Sequence, residues 1–443
     1  MVKNLNQGDN ELFNFNELQQ KAYESIISGH NTCITGPGGT GKSYVIQQIR
    51  ESIKDETIFV APTGIAAVNI DGATIHSTFK LSTNIHIHTP KINENVRSLF
   101  ESKNIKRIVI DEISMVRADV FTAIDMMLRN IRKTREAFGG LQVIAIGDFY
   151  QLSPIVNKTE KSVFETKFHS PYCFETESWI NANFITIDLQ ESKRQSDLKF
   201  VEMLNRIRKG DDFNKDIDSI NHIGMNQTNI DETWIMLTAT NAVANEYNKE
   251  QYSRLSGTEY TYTANVSPNV KIRPVDEVIK LKIGSKVLIK ANDVTNGYVN
   301  GDRGEVISLT NEDVTVKLLN GNIVKVTPFA WEEKEYKKKE SIDGVDNGFE
   351  LSTLGKFKQI PIKLGWAITV HSSQGLTLDG AFLNTGNGCF AAGQLYVAVS
   401  RIKSLDRFCL VNPIRYTEVI TSKEVKFFYD NQDKYCSALG SIV

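Results

Sequence analysis

The stretch NTCITGPGGTGKSYVIQQIRESI, Asn31–Ile53, decides the reading of the whole chain. NTCIT is short and apolar and runs into a glycine-rich loop. SYVIQQIRESI then returns apolar residues at helical spacing. Between them GPGGTGKS, Gly36–Ser43, fits G-x-x-x-x-G-K-[ST] in the strand–loop–helix setting that this pattern requires. The small residues Gly36, Gly38, Gly39, Thr40 and Gly41 let backbone N–H groups close around phosphate oxygens, and the helix N-terminus adds favourable partial charge. Lys42 is expected to reach the β- and γ-phosphates of a nucleotide, and the Ser43 hydroxyl to hold magnesium. A glycine-rich turn with no ligand is the bland alternative, and the two correct flanks argue against it.

Outward from this loop, short apolar strands alternate with helical patterns. TIFVAPT, RIVIDEISM and LQVIAIGD read as strands; AAVNI and ADVFTAIDMMLRNIRK read as helices. Buried strands alternating with helices predict a parallel sheet in an α/β domain. WIMLTATNAVANEYN repeats the pattern and predicts a second α/β unit. From Leu281 to Val326 the period changes to two, broken by Asn296–Gly297, Asn300–Gly301 and Asn320–Gly321; this predicts a small β-barrel inserted in the second unit. EEKEYKKKESIDGVDNG, Glu332–Gly348, reads as a solvated charged loop. Strand–helix style resumes at QIPIKLGWAITVH. Periodicity is lost between Lys80 and Ser102, which suggests a second, smaller insertion.

The chain has 443 residues, too many for one ordinary core. Its formal net charge of -2 gives no global attraction to nucleic acid, so such a site would have to be a local groove. Cys33, Cys173, Cys389, Cys409 and Cys436 are scattered without a C-x-x-C pair, which disfavours structural zinc and a disulfide framework. The polar start MVKNLNQGDNELF and the lack of a long apolar run predict an intracellular chain with no membrane partner, cytoplasmic or nucleoid-associated.

A P-loop needs a carboxylate for the metal and a group to position the attacking water. Asp111 and Glu112, at the end of the strand IVI, supply both: Asp111 for magnesium and Glu112 as general base. GDFYQLSP ends the next strand, and Gln151 can report a γ-phosphate. Arg194 in LQESKRQSD and Arg401 in YVAVSR can stabilise charge on a transferring phosphoryl group, although surface arginine is the ordinary reading of either. AITVHSSQGLTLDGA, Ala367–Ala381, places His371 beside two serines, but a hydrolase triad would need a nucleophile turn such as G-x-S-x-G, which is missing around Ser372 and Ser373.

The ordered set GPGGTGKS, APTGIAA, GATIHSTF, IVIDEISM, GDFYQLSP, LQESKRQ, LTATNAVANEYN, AITVHSSQGLTLD and YVAVSR resembles the superfamily 1B DNA helicases, and closely the Pif1 family, from about Phe15 to Leu410. ESKRQSDLKFVEMLNRIRKGD resembles the segment that distinguishes Pif1-like members. The resemblance implies two RecA-like motor domains. The first would span residues 1–180, with a strand-separating wedge at about 80–102. The second would span 181–275 and 359–443, with an SH3-like barrel at 276–358. It implies ATP and Mg2+ as cofactors, and Gln19 as the adenine contact, with the adjacent Gln20 as an alternative. Pro62, Thr63, His76, Ser77, Thr240, Asn241, Thr369 and His371 would lie along single-stranded DNA, and Gln374 and Gly375 would face the nucleotide. Arg194 and Arg401 would reach the γ-phosphate from the second domain. The implied activity is ATP-dependent 5′-to-3′ unwinding of duplexes, forks, R-loops (RNA–DNA hybrids) or G-quadruplexes by a monomer reduced to a minimal catalytic core. The alternatives are a RecD-like translocase that needs a partner and a non-catalytic single-strand-binding module. Ser153 and Val399 depart mildly from the family pattern. Ser372 departs more, standing where many relatives have lysine.

Overall fold

The computed structural model describes residues 14–81, 91–156, 160–191, 197–228, 230–268, 270–293, 295–339 and 348–432. The expected alternation builds a six-stranded sheet in the order Ala73–Thr74, Thr57–Ala61, Arg107–Ile110, Gln142–Ile146, Thr32–Thr35, Ile185–Asp188, with every pairing parallel. Both faces are covered. Ile58, Val60, Ile108 and Ile110 join one hydrophobic core, while Phe59, Val109 and Ile144 join another with Val45, Ile46 and Ile49 of the helix Lys42–Ile53. Side chains alternate across a strand, so two apolar layers force the near-continuous hydrophobic runs seen in the sequence. The P-loop strand is interior, and its loop opens at the carboxyl edge of the sheet, where this class of fold binds ligands. The last strand, Ile185–Asp188, extends this domain past the expected boundary at 180.

A second parallel sheet has the order Ala367–Thr369, Ile235–Thr238, Ala381–Asn384, Phe408–Leu410. The helices Leu198–Lys209 and Asn214–Met225 cover one side through Phe200, Leu204, Ile207, Ile217 and Ile220. These are the two α/β domains that the strand–helix alternation predicts.

The period-two region forms an antiparallel five-stranded sheet, Ile323–Val326, Val314–Leu318, Arg303–Leu309, Lys286–Ile289, Ile362–Leu364. Asn320–Gly321 turns between two of its strands, with Gly321 at φ 89°. The β subdomain is wider than 276–358, because Tyr260–Thr263 and Asn265–Val266 also pair within it. The solvated-loop expectation for Glu332–Gly348 is overturned over its first part. Phe329–Lys338 is a strand paired with Phe349–Gln359, and Trp331, Glu333, Glu335 and Tyr336 are buried. Its buried carboxylates have partners that a local reading cannot see: Glu333 accepts the N–H groups of Lys271 and Ile272, and Glu335 pairs with Lys80 and Lys337. Residues 340–347 lie outside the described set.

The hairpin reaches the first domain. Tyr336 Oη accepts the N–H of Phe59 at 2.9 Å, next to the two-residue edge strand, so it stands in for pairing that the short edge does not supply. Part of the expected wedge, 82–90, lies outside the described residues. The remainder holds the helix Glu94–Phe100, whose Val96, Leu99 and Phe100 pack into the first core; Phe100 stacks on Phe79 at 4.9 Å. That i, i+3, i+4 spacing was legible in the sequence but short. The helix Lys423–Asp430, though in the second domain's half of the chain, inserts Val425 and Phe428 into the first domain's core. Among the described residues no helix is long and apolar enough to cross a membrane.

Candidate functional site

The P-loop backbone is shaped by glycine. Gly36, Gly39 and Gly41 have φ of 134°, 87° and 85°. A Cβ on Gly36 would sit 2.3 Å from Leu189 O, and one on Gly41 would sit 2.5 Å from the Gln19 amide. Lys42 Nζ donates to the carbonyls of Gly36 at 2.8 Å and Pro37 at 2.9 Å, and Thr40 Oγ1 donates to Pro37 O. Burial lowers the Lys42 pKa, opposed by the fields of Asp148, Glu112 and Asp111. Gln19 closes a capping box with Asn16, and its Nε2 donates to Thr40 O at 3.2 Å, so it braces the loop directly. Gln20 instead bonds Glu24 along its own helix. Ser43 is exposed on the first turn. Steric room for backbone alone, a half-buried ammonium and nearby carboxylates fit a nucleotide polyphosphate with a divalent cation.

Asp111 and Glu112 follow the strand Arg107–Ile110 as predicted. Glu112 is in the left-handed region at φ 49°, a conformation costing roughly 1–2 kcal/mol for a residue with a side chain, and its N–H is held by Asp111 Oδ1 at 2.9 Å. Burial raises the Asp111 pKa. Burial and then the Asp111 charge push Glu112 to about 7, the value that suits a general base near neutrality. Gln374 crosses from the second domain: its Nε2 lies 3.3 Å from Glu112 Oε2 and 3.2 Å from Gln151 Oε1. Gly375 follows at φ 82° in open space.

Arg194 lies outside the described residues. Arg401 is buried and folded onto its own domain, donating to Val397 O at 2.9 Å, Ser400 Oγ at 2.8 Å and the carbonyls of Ser373 and Leu376. Its charge is felt at Glu112. Among the described residues, an arginine that the sequence reading passed over crosses to the first domain: Arg208, bonded to Asp148 at 2.8 Å. Tyr396 was also missed; its hydroxyl accepts the N–H of Gly38 at 3.5 Å. Strand-end placement of Asp148, three residues before Gln151, was the available signal.

A second cavity, about 820 Å³, lies between the first domain and the β subdomain. Thr63, His76 and Ser77 line one wall; Lys271, Arg273, Lys290 and Phe329 line the other. Positive charge with aromatic surface is the composition of a single-strand groove. Burial, and then Lys363, lower the Lys290 pKa to about 8; burial lowers His76. Pro62 precedes Thr63, and Thr63 caps the helix Gly64–Asn69 by accepting from Ala66 N. Thr240 repeats this in the second domain, capping the helix Asn241–Ser253. Thr240, Asn241, Thr369 and His371 stand at the carboxyl edge of the second sheet and are not part of the cavity wall. Thr369 Oγ1 donates to Ser372 Oγ at 3.0 Å and accepts the Ser372 N–H, so the serine closes a local turn beside His371, whose pKa burial lowers.

Residues 14–227 match the family model described as PIF1-like helicase. The chain is 32% identical over 411 residues to the ATP-dependent DNA helicase PIF1 of Xenopus laevis, across 88% of this chain and 60% of that protein. It therefore spans less than two thirds of that relative's length. Bacteroides sp Pif1 in complex with ADP-AlF4 superposes with a TM-score of 0.83 at 29% identity, over 95% of this chain and 98% of the other. The Bacteroides Pif1 structure bound to ssDNA gives 0.68 at 28% identity, over 94% and 97%. Many ATPases share a P-loop and a carboxylate pair. Likeness that runs through both α/β domains and the inserted β subdomain is far narrower: over most of its length this chain is similar to PIF1-like helicases.

Proposed function

We propose that the chain is an ATP-driven DNA helicase that moves 5′-to-3′ along single-stranded DNA and opens forked duplexes. One observation carries this reading: Gln374 hydrogen-bonds both Glu112 and Gln151 across the cleft, on the loop that begins at Thr369 and His371. The residue that touches the proposed nucleotide chemistry, Gln374, is thus three to five residues from the proposed strand contacts His371 and Thr369. A change in the cleft would move those contacts, and differential grip in two states is what translocation requires.

In this reading Lys42 and the P-loop N–H groups hold the phosphates, Glu112 takes a proton from water, and Gln151 orients on the γ-phosphate. Ser43 and Asp111 would hold Mg2+, which when bound neutralises phosphate charge. Arg401 and Arg194 complete the site from the second domain; Arg401 would have to leave its present carbonyl partners. The strand would thread the cavity between Thr63, His76 and Ser77 and the β subdomain, which we assign as the SH3-like element. The higher TM-score to the unliganded Bacteroides Pif1, 0.83 against 0.68 for the ssDNA complex, supports reading the described arrangement as one that precedes DNA binding. Forks, R-loops and G-quadruplexes are the proposed substrates, worked on by a monomer inside the cell.

Unwinding of matched duplexes carrying 5′ or 3′ tails tests the reading. Opening of the 5′-tailed substrate alone is expected. Hydrolysis on single strands with neither duplex opened would support the partner-dependent translocase, and absence of DNA-stimulated hydrolysis a binding module.

A further inference from the structure

We infer that Arg208 is a positioning residue for hydrolysis: a cation inserted by the second domain that orients Asp148 and, through it, the Gln151 amide. This rests on the ATPase reading above.

Arg208 ends the helix Leu198–Lys209, whose apolar face belongs to the second core. Its guanidinium leaves that core for the first domain. Nη2 lies 2.8 Å from Asp148 Oδ1, and Nε lies 3.3 Å from each Asp148 oxygen. The side chains are 2% and 0% exposed. The ring of Tyr150 lies 4.6 Å from the guanidinium carbon and that of Tyr429 5.5 Å away; the two rings stack at 4.7 Å. Tyr429 in turn bonds Thr35, the last residue of the P-loop strand.

Asp148 organises the turn that carries Gln151. Its carboxylate accepts Tyr150 N at 3.1 Å and Gln151 Nε2 at 3.3 Å, and its carbonyl accepts Gln151 N at 2.9 Å. Gln151 Oε1 meets Gln374, which meets Glu112. The chain of contacts therefore runs from Arg208 to the general base. A buried ion pair is a poor way to gain stability. What the planar fork adds over an apolar contact is direction, which a lysine cannot reproduce.

The test uses DNA-stimulated phosphate release by the full chain, with kcat and KM for ATP separated and mant-ADP affinity measured alongside. Arg208→Lys and Asp148→Asn are each expected to lower kcat by about 10-fold or more, with KM and mant-ADP affinity within about 3-fold of wild type. The double variant should be no worse than the poorer single, because the pair acts as one unit. Wild-type kcat in either variant, losses that multiply in the double, or mant-ADP affinity falling in step with kcat would overturn the inference. If Arg208→Lys does not fold, Asp148→Asn alone decides it by the same split. A wild-type chain without DNA-stimulated hydrolysis would instead defeat the ATPase reading on which this rests.

Discussion

At the nucleotide cleft the first domain meets the second through Asp148 and Arg208, both sealed from solvent. At the rim of its contact with the β hairpin, away from the large cavity, the first domain meets the hairpin through Lys334 and Asp71, 2.7 Å apart but 28% and 65% exposed, and through Tyr336 on Phe59. Both are ion pairs to an aspartate, but one cation is a planar guanidinium and the other a point-charge ammonium, and their surroundings differ. Water screens the rim pair, and such pairs are worth about 0–1 kcal/mol. The cleft pair has no water to replace a lost partner, so it permits essentially one geometry. The exposed rim pair can therefore part at little cost, and the buried cleft pair cannot.

The contrast can be broken experimentally. Lys42→Ala should lower hydrolysis by at least about 10²–10³-fold while single-strand binding stays detectable, since a cradle without its ammonium cannot stabilise phosphate charge; normal phosphate release would remove the P-loop assignment. Arg208→Met leaves Asp148 buried and unpaired, and urea unfolding should show a loss of about 3–5 kcal/mol. A loss as small as that at the rim would erase the distinction. If Glu112 is the general base, as proposed, its pKa raised to about 7 predicts that kcat/KM falls about tenfold per pH unit below that value and levels off above it. A flat profile from pH 5 to 8 would assign the base elsewhere. At the rim, Tyr336→Phe strands the Phe59 N–H and should cost about 1–3 kcal/mol in urea. Lys334→Ala should cost less than about 1 kcal/mol and change little else; a larger loss would mean that the hairpin is a fixed part of the first domain.

Much of the site was legible because each of its segments is marked by its own local pattern. The P-loop, Asp111–Glu112 and Gln151 each sit directly after an apolar strand, and a parallel sheet brings all strand ends to one edge. Gln374 was expected to face the nucleotide, but nothing local showed that it touches both Glu112 and Gln151. The second sheet, the Asn320–Gly321 turn and the helix-capping threonines Thr63 and Thr240 also follow local rules.

What the sequence alone determined is the set of elements and the edge on which the chemistry gathers, since strand period, glycine freedom and helix capping act over a few residues. Tertiary structure decided which distant charges meet. Arg208 looks like one of several surface cations on a basic helix end until Asp148, sixty residues away, is folded against it. The charged run after Trp331 reads as a loop until Lys80 and the Lys271 backbone arrive to neutralise Glu335 and Glu333. Arg401 was read as a finger, yet here it lies against its own carbonyls. In each case the physical reason is the same: the free energy of a charge is set by its burial and partner, and neither is a property of the local sequence.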